Sequence, residues 1–328
     1  MAILTIDKIY IKNFFSIKEI TLNDLKERKE IYIVGENGDG KTLLLQAVAV
    51  GLKGTQEDGL KEFRVREDEF TIEIENSKDC KNSFLAYGSS RNDSCQIKED
   101  ETGYLTLFSG EYDLKSPIKW LIDLYNAQNA KEKTVISLDN AIKLLKYLLN
   151  RDIEIEVTYR SVLFKEKGSE VSFDQLSSGY RGVITIICDM IARFSEKQKV
   201  EDIKDFKGVV LIDEVELHLH PKWQYSFMNK LRETFPLIQF IVTTHSPTVL
   251  LGASMDAIYY QIYKDNGVVK ISEQREVKND FLNDIQSDIF GFDVNDERIN
   301  NPSSDDKKRQ KRAKENLLNL IKTVKEEK

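Results

Sequence analysis

Three stretches of this 328-residue chain carry residues that could do chemistry together. The first, "GENGDGKT", runs from Gly35 to Thr42 and places glycine, lysine and threonine in the pattern of a phosphate-cradling loop. Glycines let successive backbone N–H groups curl inward around an anion, and a helix opening at Lys41 would add its positive end. Lys41 would then reach the β- and γ-phosphates of a nucleotide, and Thr42 would set its hydroxyl on Mg2+. Asn37, Gly38, Asp39, Gly40, Lys41 and Thr42 are therefore the candidate nucleotide ligands, with Glu36 and Asp39 expected to turn their side chains away.

The second stretch, "GVVLIDEVELHLHPKWQ", delivers two adjacent carboxylates at the end of an apolar run. Such a pair is costly unless a cation or a reaction holds it. Beside a phosphate loop, Asp213 would hold Mg2+ mainly through water, and Glu214 would polarise the attacking water. The third stretch, "FIVTTHSP", delivers His245 in the same way, where an imidazole could bond the γ-phosphate or the water. His218, His220 and His245 lie in two segments predicted to meet at one site. The candidate catalytic pair is Glu214 and His245, and the metal candidates are Thr42 and Asp213.

The elements must bring these stretches to one edge. "ILTIDKIYI" alternates like a strand, "EIYIV" is a short buried strand, and "TLLLQAVAVGLKG" has the apolar density of a packed helix. "EFRVREDEFTIEIE" and "SFLAYG" read as further strands. A helix is expected from Ser116-Pro117, a second over "LDNAIKLLKYLLN", and strand alternation returns in "IEIEVTYRSVLFKE". Helix "RGVITIICDMIARF", strand "VVLIDE", a helix around "WQYSFMNKLRETF" and strand "IQFIVTTH" follow. Strands alternating with helices indicate an α/β architecture with a largely parallel sheet. After about residue 255 the pattern weakens into a charged linker and a final helix, "ENLLNLIKTVKEEK".

A fourth stretch, "FDQLSSGYRG", sets Leu-Ser-Ser-Gly before a helix, so Ser177 and the N–H groups around Gly179 could form a second anion-binding terminus, or an ordinary serine cap. With this piece the sequence resembles the ABC-type ATPase heads. The likeness is strongest to the branch that holds SMC and RecF-like proteins, OLD-family ATPases and the ATPase subunits of anti-phage systems such as Septu and PARIS. The resemblance covers roughly residues 1–255 and is most discriminating in "DEVELHLHP", where Glu216 and His220-Pro221 take the place of a transporter's Asp-loop. It implies a P-loop NTPase with a mixed, mainly parallel sheet, ATP as substrate and Mg2+ as cofactor. Residues 1–255 would form the head, with a helical insert at about 103–152. Residues 256–328 would form a C-terminal strand and helix region with a charged linker, able to bind a partner. It further implies that two heads pair head to tail, with Ser177, Ser178 and Gly179 of one capping the ATP held by Lys41, Asp213, Glu214 and His245 of the other.

The departures narrow the function. Ser178 stands where transporters commonly carry glycine, the family's Q-loop glutamine is not obvious, with Ser90 and Arg91 as candidates for its place, and the insert has room for two helices of about 20 Å rather than long coiled-coil arms. The tail is too short for a fused nuclease domain, so an effector is expected as a separate chain. A net charge of −7 argues against a surface built throughout for nucleic acid, and three cysteines without a CxxC pair point to a reducing compartment. No signal peptide or membrane span is legible, so a cytoplasmic location is expected. The favoured function is an ATPase that controls an effector, a nuclease or a toxin, in anti-phage defence. The alternative is a RecF-like DNA-binding ATPase, for which "KKRQKRAK" is the supporting feature. Phe15 could stack on adenine or pack in the core, and the core is the expected place.

Overall fold

The computed structural model describes residues 4–57, 59–64, 66–77, 80–89, 98–149, 153–166 and 168–277. Ser90, Arg91, Cys95, "KKRQKRAK" and the final helix expected from the sequence lie outside these residues. The chain opens with β1 (Ile6–Phe14), β2 (Ile17–Leu22), β3 (Glu30–Val34), α1 (Lys41–Lys53), α2 (Lys61–Arg64), β4 (Thr71–Asn76) and β5 (Phe84–Tyr87). Two short strands, β6 (Lys98–Glu99) and β7 (Tyr112–Asp113), precede α3 (Pro117–Ala130) and α4 (Leu138–Leu149). A small sheet of β8 (Glu154–Val157), β9 (Val162–Glu166) and β10 (Ser169–Val171) leads to α5 (Ser178–Lys197). Then come β11 (Gly208–Ile212), α6 (Pro221–Thr234), β12 (Ile238–Thr244), α7 (Pro247–Leu251), β13 (Ile258–Asp265), β14 (Val268–Ile271) and β15 (Arg275–Glu276).

The main sheet has ten strands, in the order β4-β1-β2-β14-β13-β3-β12-β11-β5 with β15 beside β13. Its half from β13 to β5 is parallel, and the other half is mostly antiparallel. Strands β3, β11 and β12 are buried throughout, as a parallel sheet covered on both faces requires. Period-two alternation splits them between two cores. Tyr32, Val34, Val210, Ile212, Phe240 and Val242 face the core built with α3 to α6, whereas Ile31, Ile33, Val209, Leu211 and Ile241 face the core built with α1. The antiparallel strands pack on α1 closely enough that a Cβ on Gly51 would meet Ile72 at 2.4 Å.

Two expectations change. Residues 61–64 and 66–70 form a short helix and turn, not strand, because Leu60 and Phe63 are three apart and bury together, which a strand cannot do. The weak pattern after residue 255 hides β13, which lies parallel against β3 within the main sheet. The β13–β14 hairpin closes through Asn266 and Gly267, both with positive φ. The sheet therefore continues to residue 276. No helix among the described residues is long and apolar enough to cross a membrane.

At the edge away from the phosphate loop, buried Gln239 ties three segments. It accepts from Ile6 N–H at 2.8 Å and donates toward the carbonyls of Ile6, Leu25 and Arg28 at 2.9–3.2 Å. Gln239→Leu should leave these groups unpaired and lower stability by about 2–4 kcal/mol in urea denaturation. An unchanged midpoint would show that the hub contributes nothing.

Candidate functional site

Strand β3 ends at Val34 and the chain turns at once through Gly35. A Cβ there would lie 2.4 Å from the carbonyl oxygen of Ile262 on β13, so only glycine lets the loop pass the neighbouring strand. Gly38 and Gly40 adopt φ of +91° and +97°, the left-handed region, and Gly40 opens helix α1. Lys41 is almost fully buried and folds back to donate to the carbonyls of Gly35 at 2.9 Å and Glu36 at 2.8 Å. Burial lowers its pKa, against the pull of Glu214, Glu216, Asp213 and Asp39. A bound phosphate would offset that desolvation. Asp39 does not turn away as the sequence suggested. Its Oδ2 accepts the Glu36 N–H at 2.8 Å, satisfying one donor of the cradle from within.

Strand β11 runs parallel between β5 and β12 and carries Asp213 past the end of the sheet. Asp213 is 1% exposed, and every element around it supplies a bond. Thr42 Oγ1, in the first turn of α1, donates to Oδ2 at 2.8 Å, Thr243 Oγ1 on β12 donates to Oδ1 at 2.6 Å, and the Asp213 N–H donates to Tyr87 O on β5 at 2.8 Å. The next residue, Glu214, has φ +46°, a left-handed conformation that costs a side-chain-bearing residue free energy and recurs at functional sites. Its N–H donates to Thr243 Oγ1 at 2.7 Å. Thr243 thus ties the carboxylate of Asp213 to the backbone of Glu214. The sequence reading passed over it, although two threonines closing an apolar strand were the available signal.

His245 follows β12 directly. Its N–H and its Nδ1 lie 2.6 and 2.8 Å from Oε1 of buried Glu216, so the second and third stretches do meet. Glu216 raises the pKa of His245 against desolvation, helped by Glu214 and opposed by Lys41. Burial pushes the Glu216 carboxyl up, yet the bonds from His245 hold it below its ordinary range. His218 and His220 do not join this cluster. Both are exposed; His220 caps α6 by accepting Lys222 N–H at Nδ1, and His218 sits in a positive-φ turn. Among the described residues no group of three or more histidine, cysteine, aspartate or glutamate side chains could hold a metal. A hydroxyl and one carboxylate, completed by phosphate oxygens and water, are nonetheless the hard donors that Mg2+ takes.

The Leu-Ser-Ser-Gly stretch begins α5. Ser177 is exposed and accepts Tyr180 N–H at 3.4 Å as a helix cap, Ser178 is half-buried, and Gly179 is buried. A Cβ on Gly179 would meet the His218 carbonyl at 2.5 Å, so the glycine is required where this helix crosses the turn after Glu216. Further along α5, buried Asp189 pairs with Arg193 and accepts from Tyr87 Oη and Lys115 N–H, both at 2.9 Å. The helix is thereby bonded to the residue whose carbonyl holds Asp213. Phe15 is not in the core: it is 47% exposed with φ +50°, and the Arg66 guanidinium lies 4.6 Å from its ring centre.

Thr243→Val keeps the shape but removes the bonds to the Asp213 carboxylate and from the Glu214 N–H. It should cost about 2 kcal/mol in thermal or urea unfolding, and ATP turnover should fall at least tenfold. Turnover at the unaltered rate would mean that Asp213 and Glu214 need no clamp.

Residues 108–250 match the family model of the AAA ATPase domain. The Septu protein PtuA of Bacillus mycoides (strain KBAB4) is 28% identical over 284 residues, covering 75% of this chain and 39% of that protein. The probable ATPase of retron Vc95 from Vibrio cholerae serotype O1 biovar El Tor is 44% identical over 94 residues, covering 28% and 18% respectively. This chain thus spans well under half the length of either relative. Among solved structures, an SMC head bound to the C-winged helix domain of ScpA superposes with a TM-score of 0.52 at 14% identity, covering 83% of this chain and 98% of that one, a likeness of fold alone. Residues 108–250 are therefore similar to the AAA ATPase domain, the fold is similar to that of an SMC head, and the chain is similar in sequence to Septu PtuA and to the retron Vc95 probable ATPase.

Proposed function

We propose that this chain hydrolyses ATP between two copies paired head to tail, and that the paired state controls a separate effector in anti-phage defence. The observation that carries the reading is the clamp on Asp213. A fully buried carboxylate is bonded to the hydroxyl of the phosphate loop, at the edge where a positive-φ glutamate and a histidine also arrive. The loop N–H groups and Lys41 would bind the β- and γ-phosphates. Thr42 and Asp213 would hold Mg2+, which when bound supplies charge neutralisation at the phosphates. Glu214 would take a proton from water as its oxygen bonds the γ-phosphorus and the bond to ADP breaks. His245 would donate to the terminal phosphate.

The exposed position of Ser177 supports the second copy. Among the described residues its hydroxyl bonds at the start of its own helix, and its exposed position would leave it open to another molecule. The relation to PtuA supports a place in defence, as does the sequence resemblance to that branch of ATPases. A nuclease or toxin as the controlled effector follows from the same resemblance.

In Glu214→Gln, ATP turnover should fall at least about 100-fold, and size-exclusion chromatography with ATP and Mg2+ should show a stable dimer. Ser177→Arg should keep nucleotide affinity yet neither dimerise nor turn over. Normal turnover in Glu214→Gln would remove the base assignment, and a dimer in Ser177→Arg would remove the composite site.

A further inference from the structure

One buried acid at this site has no part in the scheme above. Glu216 is 4% exposed, two residues beyond Glu214, and its Oε1 receives both the backbone N–H and Nδ1 of His245. Two bonds converging on one carboxylate oxygen fix the backbone and the ring of the same residue together. A carboxylate can only accept, so the bond at 2.8 Å requires the proton on Nδ1. The ring is 46% exposed, which leaves Nε2 as the atom it presents outward.

We propose that Glu216 is the positioning residue of His245, holding the ring as the Nδ1–H tautomer so that Nε2 is presented to the terminal phosphate of the nucleotide. The last step rests on the reading of His245 given above; the fixation of the ring does not. The same geometry sets the charge. In a neutral ring of this tautomer Nε2 bears a lone pair and would meet a phosphate oxygen as acceptor against acceptor. One further proton turns it into a donor. Three groups bear on that proton: Glu216 and Glu214 favour it, Lys41 opposes it, and the bond to Glu216 is the largest influence. The buried acid thus makes the imidazolium available nearer neutral pH than in a free histidine.

His220 provides a control within the chain. Its Nδ1 accepts the Lys222 N–H, so its proton lies on Nε2, the opposite tautomer. The sequence holds three histidines, so long-range 15N–1H correlation spectra of nucleotide-free protein without a histidine tag resolve each ring. His245→Gln assigns the signal. The wild type should show His245 as Nδ1–H with a titration midpoint above 6.5, and His220 as Nε2–H. Glu216→Gln keeps an acceptor but removes the charge, so the tautomer should persist while the midpoint falls. Glu216→Ala should give mixed tautomers.

A wild-type Nε2–H ring at His245, or an identical midpoint in Glu216→Gln, overturns the proposal. Turnover is the separate arm. The alkaline limb of the rate profile should move to lower pH in Glu216→Gln, because activity is lost as His245 deprotonates. Spectra as expected with an unmoved limb would sustain the fixation of the ring and remove His245 from the reaction.

Discussion

The buried charge of Asp213 constrains everything around it. An ionised carboxylate out of water costs several kcal/mol unless bonded, and here the bonds come from β5, α1 and β12 at once. Those partners are in reach only because β5, β11, β12 and β3 run parallel in fixed register, with Ile212 beside Val242 and Tyr87, and Thr244 beside Val34. A slip of one residue would turn every side chain to the other face and take Thr243 away from the acid. The continuous apolar strands therefore do more than fill a core. They hold the strand tips where one charge can be satisfied.

The same constraint reaches helix α5. Tyr87 bonds Asp213 through its backbone and Asp189 on α5 through its ring hydroxyl. Asp189 is paired in turn with Arg193, which also donates to the Asp100 carbonyl. At the other end of α5, Gly179 rests on the turn that follows Glu216. A buried ion pair adds little net stability, but breaking one is costly, so such a pair enforces a particular arrangement. Here that arrangement sets the exposed Ser177 relative to the nucleotide edge. The edge that holds Asp213 and the exposed Ser177 are thereby linked through α5.

The phosphate loop and the carboxylate pair were legible because their chemistry forces both residue type and spacing, and because an apolar run before each marks the strand tip. Helix α3 was legible from its serine and proline alone, and Ser116 does cap it. What stayed hidden depends on distant partners. Asp39 looked like an outward side chain because nothing local shows that it returns to the Glu36 N–H. The histidines looked like one cluster, yet the left-handed turn at His218 and the cap at His220 are decided by the entry into α6. Gln239, a polar residue in a buried strand, could be explained only by carbonyls from other segments. Strand β13 is a different case, since its Asn-Gly turn was a hairpin signal in plain view.

In the proposed reading, one chain builds the floor of a reaction centre and lends Ser177 to another's. ATP turnover per chain, measured across a dilution series that spans dimer dissociation, tests this most directly. The rate per chain should fall in step with concentration once copies separate, and recover on concentrating. A rate per chain that stays constant into the monomeric range would contradict the account.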